Sequence, residues 1–358
     1  MSDVTSGQGM PRAPASDVEA ITATARADLL ALINANLFIT GGTGYIGRWL
    51  LESLCHANRT LDLGLRATVL SRNPAEFTRA CPHLAEDPII TLLAGDVRDF
   101  TCDQGDFSHV IHAATDVVAS IAPLDVFDVT VNGTRQVLEF SRRQGVQNVL
   151  LLSSGAVYGH FPDDVEHAAE TLACLTDVTT PRSAYGLGKI ASEWLVNAYG
   201  AQHGMRCTSA RIFAQVGPYL ELGAQFAAGN FIRDILKGDP IIINGDGTSL
   251  RSYMYATDLV VWLWAILVRG QRGCSYNVGS EQGLSIKGLA ETIVRVSGCT
   301  GAEIKVLGQA APGAAPARYL PDTSLARTEL GLFLIVPVED ALRRTLDWHR
   351  PRIARSKP

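Results

Sequence analysis

The chain has no long hydrophobic run and no surplus of positive charge. Its most apolar stretch, residues 259–268, is too short to cross a membrane and directly follows Asp258. The 31 Lys and Arg residues are outnumbered by 36 Asp and Glu residues, and the formal charge of -5 gives no electrostatic basis for binding nucleic acid. These two absences argue against a membrane protein and against a nucleic-acid-binding protein.

The chain also lacks paired cysteines and a signal sequence. Its seven cysteines are scattered and form no C-x-x-C pair, which argues against a disulfide framework and a metal site and favours a cytoplasmic location. Residues 1–16 are small and polar, without the basic start and apolar centre of a signal peptide. They are predicted to be a disordered tail, and a helix is predicted over Ala20–Asn34.

A strong pattern is present at residues 36–58. The apolar run of residues 37–39 predicts a buried strand, which is followed by Gly41, Gly44 and Gly47 with the spacing G-x-x-G-x-x-G and then by apolar residues at helical spacing. The first glycine permits a tight turn, the second lets backbone N–H groups approach a pyrophosphate, and the third lets the helix lie close to the strand. Because the strand and the helix flank the glycines, this pattern predicts a dinucleotide site.

Further apolar runs predict four more strands, at residues 66–70, 89–94, 110–115 and 148–154. These runs lack alternation, as is typical of strands that helices cover on both faces. Strand and helix patterns alternate to about residue 205, which favours an α/β fold with a Rossmann-like doubly wound parallel sheet. His112, in the fourth run, is expected to be a packed strand residue rather than an acid or a ligand.

The end of the second predicted strand bears on the choice of cofactor. In NAD sites an acidic residue near this position holds the ribose hydroxyl, whereas an arginine accommodates the 2′-phosphate of NADP. The strand ends in Ser71 and Arg72, and the acid is absent. We therefore favour NADP(H), with NAD(H) as the alternative. The plainer interpretation of Arg72 is a side chain that only faces solvent.

Tyr185 and Lys189 carry the predicted chemistry. They are four residues apart and so lie on one face of a helix. A phenol has a reference pKa of ~10, and a nearby ammonium group favours its ionised form. Ser153 and Ser154 end the fifth strand, at the edge where such sheets bind ligands. A serine, a tyrosine and a lysine together can move a proton on or off a carbinol oxygen while a nicotinamide takes or gives hydride.

These motifs resemble the extended short-chain dehydrogenase/reductases that act on nucleotide sugars. The resemblance covers about residues 36–335 and includes, besides the glycine turn and Tyr185-x-x-x-Lys189, the following segments: Gly95-Asp96-Val97-Arg98-Asp99, His112-Ala113-Ala114, Ser153-Ser154-Gly155-Ala156-Val157-Tyr158-Gly159, Ala210-Arg211-Ile212-Phe213, Gly217-Pro218, Asn230-Phe231, Gly245-Asp246-Gly247, Arg251, Asp258-Leu259, Tyr276-Asn277-Val278-Gly279 and Pro321-Asp322.

The resemblance implies Ser154, Tyr185 and Lys189 as catalytic residues. It implies cofactor contacts at the carboxyl ends of the strands, from Gly41, Thr43, Gly44, Tyr45, Ile46, Gly47, Ser71, Arg72, Asp96, Val97, Ala113, Ala114, Thr115, Thr130, Ser153, Tyr185 and Lys189. It implies substrate contacts from Ser154, Ala156, Asn230, Arg251 and Arg318. The amide and the guanidinium groups among these suit the oxygens of a diphosphate. For Arg318 a solvated surface charge is an equal alternative.

Departures from the family pattern narrow the predicted reaction. Related 4,6-dehydratases carry Asp-Glu after the catalytic hydroxyl, and related uronate decarboxylases carry a glutamate at the second of these positions. Here Gly155 and Ala156 supply no acid or base, so dehydration and decarboxylation are disfavoured. Thr130 and Ala214 also stand where the family usually has asparagine, which affects contacts to the nicotinamide and the sugar.

We therefore predict NADP(H)-dependent reduction of a nucleotide-activated 4-keto-6-deoxysugar, with Tyr185 as the general acid. A 4-epimerase with a tightly bound nicotinamide is the alternative, and a non-enzymatic cofactor sensor is disfavoured by the intact Ser154, Tyr185 and Lys189. The resemblance implies a homodimer that pairs the helices near residues 125–145 and 183–203. The predicted domains are a tail and helix at 1–34, a Rossmann domain at 35–205, and a mainly nucleotide-sugar-binding domain at 206–358 with segments that return to the Rossmann domain.

Overall fold

The computed structural model describes residues 9–103, 105–115, 122–223, 226–299, 301–310 and 315–355. The first half of the predicted N-terminal tail, residues 1–8, lies outside these ranges. Within them, the tail prediction is wrong for its last two residues and the single-helix prediction is wrong as well. Two helices are present, α1 at Ala15–Thr24 and α2 at Arg26–Leu30.

The early start of α1 has a visible cause. Pro14 precedes the first helical residue, and the Ala13 N–H donates to the buried Glu52 carboxylate at 3.0 Å, which ties the segment to the part of the chain around Glu52. A carboxylate at another part of the chain therefore anchors a segment whose own composition predicts disorder. The bend between the two helices occurs at Ala25, which has φ -88° and ψ 14°.

Five predicted strands and the helices between them are present in the order expected. The elements that follow α2 are β1 at Asn36–Thr40, α3 at Tyr45–Leu61, β2 at Arg66–Ser71, α4 at Pro74–Ala80, α5 at Pro82–Ala85, β3 at Ile90–Ala94, β4 at His109–His112, α6 at Pro123–Arg143, β5 at Asn148–Ser154, α7 at Ala184–His203 and β6 at Arg206–Ile212. The fourth strand is shorter than predicted, and its carboxyl end is followed by Ala113 without regular structure.

The remaining elements are shorter and more mixed. They are β7 at Gln215–Val216, α8 at Ala227–Lys237, β8 at Ile241–Ile243, β9 at Leu250–Arg251, β10 at Met254–Tyr255, α9 at Ala256–Arg269, β11 at Ser275–Val278, β12 at Leu284–Ser285, α10 at Ile286–Ser297, β13 at Ile304–Val306, β14 at Arg318–Tyr319, α11 at Ser324–Leu330 and α12 at Val338–Arg355. Among the described residues, no helix combines the length and apolar character needed to cross a membrane.

Seven parallel strands form the main sheet, in the order β11-β6-β5-β4-β1-β2-β3. The chain runs outward from β1 through β2 to β3 and then crosses to β4 on the other side of β1. In such doubly wound sheets, ligands bind beyond the carboxyl ends of the strands at this reversal. The fold class predicted from the sequence is therefore confirmed, and the predicted ligand edge is the edge that carries Thr40 and His112.

The core below this edge is dense with aromatic side chains. The Phe38 ring lies 4.5 Å from the Phe140 ring and 5.2 Å from the Phe100 ring, with Phe107 at 5.4 Å. All four side chains are buried. They join β1 to α6 and to the segments that follow β3, so apolar packing holds the central strands in register beneath the ligand edge.

Two compact units divide the chain. The first comprises residues 1–157, 176–211 and 260–276, and the second comprises residues 158–175, 212–259 and 277–358. In the second unit α8, α10 and α12 pack around a core that includes Ile232, Leu289 and Leu342.

Candidate active site

The glycine turn is built so that side chains are excluded from it. Gly41 has φ +69°, a conformation that favours glycine, and a Cβ there would lie 2.6 Å from the backbone of Ala113 and Ala114. A Cβ on Gly47 would lie 2.3 Å from the Gly41 carbonyl oxygen. Gly44 precedes the first turn of α3 and provides no side-chain cap. The turn therefore presents the backbone N–H groups of a long helix, which is the arrangement that binds phosphate.

The carboxyl ends of β1 and β4 are joined by a buried polar chain. The Ala114 N–H donates to Thr40 Oγ1 at 3.1 Å, and Thr40 Oγ1 lies 2.7 Å from His112 Nδ1. His112 Nε2 lies 3.0 Å from Thr134 Oγ1 on α6. Burial, with the charge of Lys189, lowers the pKa of His112 to about 3, so its ring is neutral. His112 is a packed strand residue that fixes the loop beside the glycine turn.

Arg72 and Asp96 lie near each other beyond the ends of β2 and β3. Hydrogen bonds from Arg98 hold the pKa of Asp96 below its usual value, and the charge of Arg72 contributes to this. Arg72 is exposed, whereas Ser71 and Val97 are buried. The Arg72 cation and the Asp96 carboxylate therefore lie close to each other at this end of the sheet.

Lys189 is the most unusual group in the first unit, because its ammonium is buried. Its side chain is 2% exposed, and Nζ donates to the Leu152 carbonyl oxygen at 2.8 Å. Burial lowers the pKa of Lys189 to about 8, although the negative charge of Glu193 acts in the opposite direction. Nζ lies 5.8 Å from the centre of the Tyr185 ring. The lysine thus connects Tyr185 to β5 at a point two residues before Ser154.

The turn that follows Ser154 packs directly against α7. Residues 155–158 form a short 3-10 helix, and the Ala156 N–H donates to Ser154 Oγ at 3.2 Å. A Cβ on Gly186 would lie 2.8 Å from the Ala156 carbonyl oxygen, and a Cβ on Gly188 would lie 3.1 Å from Thr130. The two glycines therefore let α7 approach the serine turn on one side and α6 on the other.

Thr115 and Thr130 lie beside each other, with their hydroxyl oxygens 3.2 Å apart. Thr130 Oγ1 also lies 2.6 Å from the Val126 carbonyl oxygen, to which it donates. Thr130 is thus held by its own helix.

One buried residue at this site was missed in the sequence. Glu193 lies on α7 one turn after Lys189 and accepts hydrogen bonds from Ser153, Arg211 and Ser275. The available signal was a glutamate four residues after the lysine, on the same helix face.

The three residues expected to contact the diphosphate lie in the second unit. Arg251 of β9 and Tyr319 of β14 are register partners, and the Arg251 guanidinium lies 5.4 Å from the Tyr319 ring centre. Arg318 Nη1 donates to the Asp163 carbonyl oxygen at 2.9 Å. Asn230 lies within α8, where its Oδ1 accepts from Arg233 at 3.1 Å. The pairing of β9 with β14 brings Arg251 and Arg318 onto neighbouring strands, while Asn230 lies on a separate element.

Comparison with known proteins places these features in one family. Residues 37–279 match the model of the NAD dependent epimerase/dehydratase family. The chain is 28% identical over 318 residues to UDP-glucuronic acid decarboxylase 1 of Xenopus tropicalis, covering 88% of this chain and 72% of that protein. It is also 28% identical over 318 residues to the UDP-glucose 4-epimerase of Corynebacterium glutamicum, covering 82% and 89%. The structure of the Bordetella bronchiseptica enzyme WbmF in complex with NAD+ and UDP superposes with a TM-score of 0.73 at 24% identity, covering 91% and 95%.

Proposed function

The chain belongs to the NAD dependent epimerase/dehydratase family, and we propose that it reduces the keto group of a nucleotide-activated 4-keto-6-deoxysugar. The observation that carries this proposal is the buried ammonium of Lys189 beside the Tyr185 ring. A buried cation costs free energy unless an opposite charge or hydrogen bonds compensate for it, and this cation is proposed to stabilise the phenolate that Tyr185 becomes on giving up its proton.

The residues around the glycine turn fit a nicotinamide dinucleotide. A Cβ on Gly41 or Gly47 would clash with neighbouring backbone, so only glycines permit this tight turn, and the first turn of α3 has no side-chain cap. Gly41–Gly47 would hold the pyrophosphate, and a cofactor bound there supplies the hydride. We propose NADP(H), because the cation Arg72 stands at the end of β2 where NAD sites place a carboxylate. The NAD+ bound in WbmF favours NAD(H) as the alternative.

In the proposed reaction, Tyr185 donates its hydroxyl proton to the carbonyl oxygen of the sugar as the carbon accepts hydride. The product is an alcohol, and the positive charge of Lys189 stabilises the phenolate that remains. The Ala156 N–H orients the Ser154 hydroxyl oxygen, and Ser154 is proposed to hydrogen-bond the same sugar oxygen. General acid catalysis of this kind is worth ~10²- to 10⁴-fold in rate.

The turn after Ser154 supports reduction over elimination or decarboxylation. Its first two residues are Gly155 and Ala156, and the Ala156 carbonyl oxygen packs against Gly186. Gly155 and Ala156 carry no side chain that could remove a proton from the sugar ring. The similarity to a UDP-glucuronic acid decarboxylase therefore extends to the family but not to the acidic residues that such a reaction needs.

The similarity to a UDP-glucose 4-epimerase supports a second candidate, a nucleotide-sugar 4-epimerase that keeps its nicotinamide bound. Tyr185, Ser154 and Lys189 would serve either reaction, so the two differ in whether NADPH is consumed. In both, Asn230, Arg251 and Arg318 are proposed to contact the diphosphate, and a cytoplasmic location is proposed from the seven free cysteines.

A homodimer is proposed from the exposed apolar side chains of α6 and α7. Leu124 and Phe127 on α6 are 84% and 39% exposed, and Trp194 on α7 is 67% exposed. The two helices pack against each other, so these side chains belong to one helical layer. A symmetric pairing of this layer would bury the apolar surface of both copies.

The deciding experiment measures NADPH absorbance with a 4-keto-6-deoxy nucleotide sugar and analyses the products. Stoichiometric loss of NADPH with formation of the 4-hydroxy sugar is expected, and Tyr185→Phe should lose ~10²-fold or more in turnover because its proton donor is gone. Nicotinamide affinity should change little. Interconversion of 4-hydroxy epimers without net NADPH loss would establish the epimerase instead, and near wild-type turnover of Tyr185→Phe would refute both assignments of the acid.

A further inference from the structure

Glu193 connects the helix of Tyr185 and Lys189 to three strands at once. Its carboxylate accepts from Ser153 Oγ of β5, from Arg211 Nε and Nη2 of β6 at 3.1 and 2.8 Å, and from Ser275 Oγ of β11 at 3.1 Å. These strands are neighbours in the sheet. Because four donors converge on two oxygens, this carboxylate sets the position of α7 along and across the sheet.

The ion pair of Glu193 with Arg211 is nearly inaccessible to water. The two side chains are 8% and 11% exposed, respectively. A buried pair of this kind is often no more stabilising than apolar residues of the same volume, because each charge loses its hydration. A contribution to stability therefore does not by itself explain the Glu193–Arg211 pair. Its charges can also act on the ionisable groups nearby.

The groups around Lys189 indicate that Glu193 influences the protonation of this lysine. On its own helix Lys189 faces the Tyr185 ring and the Glu193 carboxylate. Its ammonium donates to the Leu152 carbonyl oxygen of β5, and its charge acts on His112 of β4, whose ring is neutral. Among the described residues whose charge acts on the pKa of Lys189, Glu193 alone favours the ammonium, and burial opposes it.

We propose that Glu193 is a positioning residue that holds α7 on the sheet and keeps Lys189 protonated beside Tyr185 at the working pH. This inference rests on the proposed roles of Tyr185 and Lys189 in hydride transfer. If Glu193 becomes neutral, its negative charge no longer favours the ammonium and the positive charge of Arg211 is uncompensated. Lys189 then loses its proton at a lower pH, and the phenolate of Tyr185 loses its stabilising charge.

The test follows the protonation of Lys189 itself, in protein labelled with ¹³C-lysine. The chain contains five lysines, Lys189, Lys237, Lys287, Lys305 and Lys357, so the Lys189 Cε signal can be assigned from its loss in Lys189→Met. Its midpoint in a pH titration reports the charge without any need for substrate or turnover. The pH dependence of NADPH oxidation with the 4-keto sugar is recorded in parallel.

Glu193→Gln should lower the titration midpoint of Lys189 by ~1 pH unit or more, as expected for loss of a neighbouring opposite charge. The alkaline limb of the rate profile should move down with it, because turnover requires the charged lysine. Glu139→Gln is the matched control. It removes a carboxylate of α6 whose partners are Tyr199 and Arg142. It should change neither the titration midpoint of Lys189 nor the alkaline limb of the rate profile.

A second variant keeps the test open if Glu193→Gln does not fold. Arg211→Gln leaves the carboxylate uncompensated and should raise the Lys189 midpoint. An unchanged midpoint in whichever variant folds would overturn the inference and leave Glu193 a purely structural residue. A shifted midpoint without NADPH oxidation of any 4-keto sugar would support the role of Glu193 while refuting the proposed reaction.

Discussion

Lys189→Met tests directly whether the buried ammonium serves function at the expense of stability. Methionine has a similar length and no charge. Burial lowers the pKa of Lys189 from 10.5 to about 8, and because each pKa unit corresponds to about 1.4 kcal/mol, keeping the ammonium charged in the folded protein costs about 3.5 kcal/mol. Removing the charge should recover this amount at neutral pH.

An opposing contribution comes from the Leu152 carbonyl oxygen, which accepts from Lys189 Nζ at 2.8 Å. Left without this donor in a buried site, it costs ~1–3 kcal/mol. The recovered cost of the charge exceeds the cost of the lost hydrogen bond, so Lys189→Met should be ~0.5–2.5 kcal/mol more stable than the wild type at pH 7, even as turnover falls.

The pH dependence has a definite sign. Because the folded pKa lies below the unfolded value, the unfolded state binds more protons between about pH 8 and 10.5, and the stability of the wild type rises with pH across that window. Below about pH 8 the full cost of the ammonium is present. The stability difference between Lys189→Met and the wild type should therefore be constant below about pH 7. It should reverse as the pH approaches 10.5, where the cost of the charge is gone and only the ~1–3 kcal/mol for the unsatisfied Leu152 carbonyl oxygen remains.

Urea denaturation of both proteins at pH 7 and at pH 10 measures this difference, with Lys287→Met as the control. Lys287 is an exposed lysine of α10 whose side chain is 58% accessible, and its replacement should change the stability little at either pH. The reasoning is refuted if Lys189→Met is destabilised by more than ~2 kcal/mol at pH 7 with no dependence on pH, since the ammonium would then be a net stabilising group.

Two further predictions concern the cofactor and the assembly. Titration of apo protein should show tighter binding of NADPH than of NADH. Arg72→Ala should narrow this difference in affinity, whereas Arg79→Ala, at an exposed position on α4, should not. A preference for NADH in the wild type would contradict this. Trp194→Glu should convert the proposed dimer to monomer in light scattering, because it puts a charge into an apolar contact, whereas Phe333→Glu should not. A wild type that is monomeric at micromolar concentration would remove the basis for the second prediction.

Five of the seven strands of the main sheet could be predicted from the sequence, because each of them is a short apolar run that forms a local signal. The run Val149–Leu152, bounded by Asn148 and Ser154, predicted β5 with the limits that the structure shows. The N-terminal helices were predicted less well, because the start of α1 depends on the contact of Ala13 with Glu52, 39 residues later. Local sequence patterns are enough to predict such strands, whereas the start of α1 depends on Glu52, a carboxylate of another helix.

The proposed site shows the same division. The spacing of Tyr185 and Lys189 predicted one helix face, but whether the Arg318 guanidinium reaches a diphosphate depends on contacts no spacing reveals, and its Nη1 donates to the Asp163 carbonyl oxygen.

Glu193 could not be predicted from local sequence patterns, because its partners are distant from it in the chain. Its partners Ser153, Arg211 and Ser275 lie 40, 18 and 82 residues away in the chain, on β5, β6 and β11. The last of these strands joins the sheet only after the chain has left the Rossmann unit and returned, so their adjacency follows from the strand order and not from any local pattern. A weaker signal was nevertheless available in Arg211 itself. A charged residue within a buried strand needs an opposite charge, and a glutamate one turn after the proposed catalytic lysine is a natural partner for it. A charged residue in a predicted core strand therefore indicates that a residue of opposite charge on a neighbouring helix faces the sheet. In this chain, Arg211 points to Glu193, the carboxylate on the helix of the proposed proton donor.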